Sequence, residues 1–189
     1  MGNVQGVDFD DIETALGLTP GTVLSLGGYN ATFGSAIYRS VTVLAGEAIT
    51  FDSRFVSDEP DGPTTPYNDF SFFSVSGGGA PAHVQFLGDA QAASSINGPA
   101  FHGFDRSTNS ANASYTFANS GTYTIGFGVS NVEDNSVGSA LVVDNIALNV
   151  QNPQSVPEID ASSATLPLAL ICLMMLVVSD RKHRATRLA

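Results

Sequence analysis

Tryptophan is absent from the 189 residues, and lysine is absent from the first 160. Cysteine occurs once, as Cys172. Residues 1–150 therefore hold no disulfide, and their fold must rest on its own hydrophobic core. About 150 residues are enough to close one. The scarcity of cations excludes a second class of function. Arg39, Arg54 and Arg106 stand against 17 acidic residues in the first 160 positions, a balance of −14. Phosphate backbones would be repelled by such a surface, so no nucleic-acid partner is expected. Without tryptophan a sugar-binding cleft would have to stack its ligand on Tyr29, Tyr38 or Tyr67. The N-terminal Met1-Gly2-Asn3-Val4-Gln5 has neither a basic region nor an apolar run, so an upstream extension encoding a signal peptide is expected if the protein is exported.

What is present is a strand grammar. Ile49, Phe51, Ser53 and Phe55 alternate with Thr50, Asp52 and Arg54. Tyr123, Ile125, Phe127 and Val129 alternate with Thr122, Thr124, Gly126 and Gly128. Period two of this kind predicts strands with one buried and one wet face. Residues 36–43, 70–75, 83–87, 114–117 and 141–150 read as further strands, and the last, apolar on both faces, as a central one. Ala45-Gly46, Ser76-Gly77-Gly78-Gly79, Asn97-Gly98-Pro99 and Ser120-Gly121 separate them as turns. Residues 90–113, small and polar, predict a long loop or irregular edge. Asp10 or Asp11 is placed to cap a short helix that Gly17 stops. The expected fold is all-β: an antiparallel β-sandwich, jelly-roll-like, over residues 8–150, with a short N-terminal helix.

Composition changes after Val150. Residues 151–165 are a Pro- and Ser-containing linker. Residues 166–179 follow as an apolar segment, with Leu166 to Val178 free of charge. Those thirteen residues span about 20 Å as a helix, short of the roughly 20 residues that usually cross a bilayer. Residues 180–189 then gather Arg181, Lys182, Arg184 and Arg187 into a basic tail, the flank that stays in the cytoplasm. The expectation is a single C-terminal membrane helix with the body outside the cytoplasm. Cys172 reads as a small apolar residue of that segment.

Val156-Pro157-Glu158-Ile159-Asp160-Ala161, followed by an apolar segment and Arg181-Lys182-His183-Arg184, resembles the PEP-CTERM sorting signal, with Ile159 where many members carry a second proline. The resemblance implies recognition by an exosortase-type membrane protease that cleaves near Pro157-Glu158. It also implies a Gram-negative bacterium that makes exopolysaccharide and biofilm, and a protein held at or released to the cell surface.

The body is similar to the β-sandwich domains called choice-of-anchor domains, through Phe51 to Gly77 and Gly126 to Ile146. That resemblance implies placement on the surface and no defined activity. Asp58, Glu59 and Asp61 and the pair Asn68-Asp69 flank one connection between strands. Carboxylates and loop carbonyls there are the oxygen donors that Ca²⁺ takes six to eight of. Asp144, by the same resemblance, adds an acid from the last strand. The candidate calcium ligands are thus Asp58, Glu59, Asp69 and Asp144, and the competing role is that of turn acids bonding backbone amides.

Catalytic signals are weak. His83 and His102 have no metal-ligand neighbour at short spacing, and no Gly-x-Ser-x-Gly occurs. The expected function is a non-enzymatic surface or matrix protein associated with exopolysaccharide. The alternatives are a carbohydrate-binding module, which needs a concave Tyr-lined groove, and a polysaccharide hydrolase, which needs two carboxylates about 5–9 Å apart in a cleft.

Overall fold

The computed structural model describes residues 6–26, 30–60, 67–96, 101, 103–133 and 137–149. The linker, the apolar segment, the basic tail, the Asn97-Gly98-Pro99 turn, Tyr29, Asp61 and His102 lie outside these residues. The chain divides between Val150 and Gln151.

The predicted alternation produces two antiparallel sheets. In the first, β1 (Val7–Asp8), β2 (Ala31–Val43), β9 (Gly121–Val132), β4 (Phe70–Gly77) and β5 (His83–Asp89) lie side by side in that order. In the second, β10 (Ser139–Asn149) and β8 (Ala111–Thr116) flank β3 (Ala48–Ser57). The short β7 (Arg106–Ser107) continues the β8 side of β3, and β6 (Ser94–Ser95) pairs with β7. These two fragments are what the polar stretch 90–113 becomes, an irregular edge. Among the described residues no helix is long and apolar enough to cross a membrane.

The sheets face each other across a core in which Phe51 of β3 meets Phe73 of β4 at 4.8 Å and Phe127 of β9 at 4.9 Å between ring centroids. Val43, Ile49, Val75, Phe117, Tyr123 and Ile125 complete it. At its edge the Tyr123 hydroxyl donates to the carbonyl of Asn119 at 2.9 Å, pinning the turn that enters β9. A tyrosine used this way fixes a corner of two-sheet folds.

Three sequence expectations are corrected. The helix α1 (Phe9–Ala15) is capped by Asp8, whose side chain accepts from the Asp10 amide, and not by Asp10 or Asp11. The shift by two residues turns Phe9 inward against Phe70 and Phe72. The helix does stop at Gly17, at φ +68°, where the Leu18 amide reaches back to the Glu13 carbonyl and the Gly17 amide to that of Thr14.

Second, the face of β9 expected to be wet is so only at its start: Thr122 is exposed and Thr124 half-buried, but Gly126 and Gly128 are buried. A Cβ on Gly126 would come within 2.3 Å of Leu16, and one on Gly128 within 2.4 Å of the Phe72 ring. Here α1 and the segment after it cover the outer face of the first sheet, where Phe9, Ile12, Leu16, Leu18, Val23, Phe70, Phe72 and Val132 form a second core.

Third, β10 is an edge strand and not a central one: it pairs with β3 alone, and residues 144–149 are exposed. Its register slips between Asp144 and Ala147, with Asn145 at φ +51°. A bulge of this kind bends an edge strand away from its neighbours. Apolar residues on both faces of β10 therefore report an uncovered edge.

Candidate functional site

The acids singled out in the sequence go to different places. Asp58, exposed at the end of β3, accepts from the Asp105 amide at 2.9 Å. Glu59 beside it is buried; its amide donates to the Ser57 hydroxyl, and its carbonyl accepts from Arg106 Nη1 at 2.6 Å. The second Arg106 nitrogen, Nη2, donates to the Ala93 carbonyl. Asp69, buried at the start of β4, accepts from the Val132 amide at 3.0 Å. Asn68 donates to Asp89 and accepts from the Gln91 amide, while Asp89 also accepts from the Ala92 amide. These buried groups thereby bond the backbone of the loops at one end of the sheets, which otherwise leaves amides without partners.

Asp144 is exposed on β10, opposite Asp52 of β3, and accepts from the amide of Asn145. Asp52 is gripped on both sides: Asn145 Nδ2 donates to it at 2.7 Å and Asn112 Nδ2 at 3.1 Å. The Asn145 amide first, then that of Asn112, hold the Asp52 carboxyl below its usual value, against a smaller opposing effect of desolvation. Among the described residues no group of three or more His, Cys, Asp or Glu side chains stands together to hold a metal ion. His83 is half-buried, its ring 4.8 Å from that of Tyr115. Burial raises the Tyr115 hydroxyl, with a smaller contribution from Tyr123.

Among the described residues, a feature with the shape of a binding site is apolar. Between β2 and β10 the two sheets do not close, and a groove of about 460 Å³ opens there. That volume falls in the range of roughly 300–1,000 Å³ common to small-molecule sites. Ile49, Ile125 and Phe127, themselves core residues, form part of its lining. Ile37, 67% exposed, and Ile146, 54% exposed, stand at its margins together with Leu148. A second cavity of about 200 Å³ shares Ile37 and Phe127 with it and runs along Leu141 and Val143.

The sequence carries a signal for this groove in the alternation of β2. Register pairs Ile37, Arg39 and Val41 of β2 with Phe127, Ile125 and Tyr123 of β9, so the three share the inner face of the first sheet. An arginine thus occupies a position where alternation calls for an apolar residue.

Comparison with known families matches residues 156–186 to the VPEID-CTERM protein sorting domain. The matched span contains Val156, Pro157 and Glu158 and the basic Arg181, Lys182 and Arg184. It also accounts for Ile159, because Val-Pro-Glu-Ile-Asp is the sequence in the name of that domain. A search of curated proteins returned no match for the chain. A sorting domain of this kind marks a secreted, surface-directed protein processed by an exosortase.

Proposed function

We propose that the protein is a non-enzymatic component of the cell surface or extracellular matrix of a Gram-negative bacterium, whose residues 8–150 form a jelly-roll-like sandwich of the choice-of-anchor type. The observation that carries this reading is the sorting domain at residues 156–186 joined to a β-sheet body. In this account residues 166–179 enter the membrane and Arg181, Lys182 and Arg184 stay on the cytoplasmic side. Thirteen uncharged residues make a poor permanent anchor, which suits a segment discarded on processing. The exosortase cuts near Pro157-Glu158 and frees the body to join the exopolysaccharide or biofilm. The buried Asp69 and Asp89 support a structural role for these two acids, since Asp69 accepts from the Val132 amide at the end of β9 and Asp89 from the Ala92 amide.

The test places the protein, with a secretion signal fused upstream, in a bacterium that carries a matching exosortase. The wild-type chain is expected to lose its tail and appear outside the cytoplasmic membrane. Replacing Pro157 and Glu158 with alanine should leave a full-length, membrane-retained species. Identical mass and location for both proteins would overturn the proposal.

A further inference from the structure

We infer that the groove between β2 and β10 binds a small anionic amphiphile, an aliphatic chain ending in a carboxylate, with the chain on Ile125 and Phe127 and the acid at Arg39. The lining argues for the chain. Most of the residues around the groove are aliphatic or aromatic; Tyr38 is among them, but the rest of the apolar lining is hydrocarbon, and a sugar placed there would bury hydroxyls against it at a cost of kcal/mol each.

Charge argues for the acid. Of the three cations before residue 160, Arg106 is buried and donates to backbone carbonyls. Arg54 lies 4.8 Å from the centre of the Phe101 ring. Arg39 lines the groove, is exposed, and has no hydrogen bond or ion pair among the described residues. Residues 1–150 carry 15 acids against three arginines, a balance of −12, so they offer an anion few places to bind, and this one cation stands on the inner face beside a hydrocarbon surface. A planar guanidinium suits bidentate recognition of a carboxylate. The same charge balance weighs against a second copy on this face, since two such bodies repel.

The full chain is titrated, without detergent, with the fluorescent probe dansylaminoundecanoic acid, and the probe is then displaced by decanoate or by decanol. Wild-type protein should bind the probe and release it to decanoate more readily than to decanol. R39Q should weaken decanoate about tenfold, the scale of one charge-assisted contact, and leave decanol unchanged. I146E should weaken both ligands; L148S serves the same purpose if that variant does not fold. Equal decanoate affinity in R39Q and wild type would overturn the proposal, leaving Arg39 as an arginine that lays its stem on apolar surface. Binding that survives both I146E and L148S would place the probe outside the groove. A dimer by light scattering that I146E dissolves, with no probe bound, would give the face to a second copy. Either result rejects the assignment. None of these outcomes depends on how the tail is processed.

Discussion

The two faces of the first sheet meet different fates. On the outer face a helix of seven residues and the segment behind it lie over β4 and β9: Leu16 at the helix end leaves no room for a Cβ on Gly126, and the Phe72 ring of β4 leaves none on Gly128. Leu16 there is fully buried, and the Ser76 hydroxyl donates to its carbonyl at 2.6 Å. Glu13, buried in the same helix, accepts from the amides of Gly21 and Val23 and closes the following loop onto the helix. On the inner face the second sheet covers the middle of β9, yet β10 bends at its bulge and leaves Ile37 and Arg39 of β2 exposed. The same alternating pattern is thus buried on a face where polar residues or glycines were expected and open on a face where apolar ones were. Cover by a neighbouring element, and not the pattern of the strand, decides which positions are core.

The largest effect that would break this contrast is expected from Leu16→Ala. It should cost about 2–5 kcal/mol in chemical unfolding, as for a fully buried leucine, whereas Ile37→Ala should stay within about 0.5 kcal/mol. Comparable losses at both sites would show that the groove margin is as load-carrying as the helix-covered face. Next in size, Glu13→Gln should cost about 1–3 kcal/mol, because an NH₂ replaces an oxygen that now accepts a buried amide. A thermal midpoint unchanged in that variant would remove the helix-to-loop bond from the account.

The smallest effect concerns the open side of the second sheet. The Asp52 carboxyl is held below its ordinary value by Asn145 and Asn112, so it stabilises the fold above the unfolded-state value. That contribution fades as pH falls through the lowered folded value. Thermal midpoints of wild type and Asp52→Asn, followed through the acid limb, should converge as the solution becomes more acidic. A gap that stays constant with pH would show that the charge of Asp52 is not what Asn145 and Asn112 hold.

Much of the fold was legible. Residues 49–55 and 123–129 announced β3 and β9, and Gly17 announced the end of α1, since each signal is local. The cap was misplaced because Asp8, Asp10 and Asp11 are chemically equivalent candidates, and the choice among them is made by Phe9 reaching Phe70 and Phe72. The edge position of β10 was hidden because apolar residues on both faces look alike whether a second neighbour or a groove lies beside them. The candidate site was the least legible part. Asp58, Glu59, Asp69 and Asp144 stood out by type, and in the structure Asp58, Asp69 and Asp144 each accept from a backbone amide that no sequence pattern advertises. Arg39, the exception in an alternating run, was the residue to notice.

The sequence by itself determined the class of the body, through period two, and the destination of the protein, through Val156-Pro157-Glu158 and the matched residues 156–186. Both are readable because strand alternation and a linear processing signal are properties of neighbours along the chain. Only the tertiary structure decided which face of β9 the helix covers and where the sheets part to expose Arg39. Burial depends on elements far apart in sequence: β10 meets only β3 in its sheet, with a bulge at Asn145, and cavities separate it from β2 on both sides of that bulge.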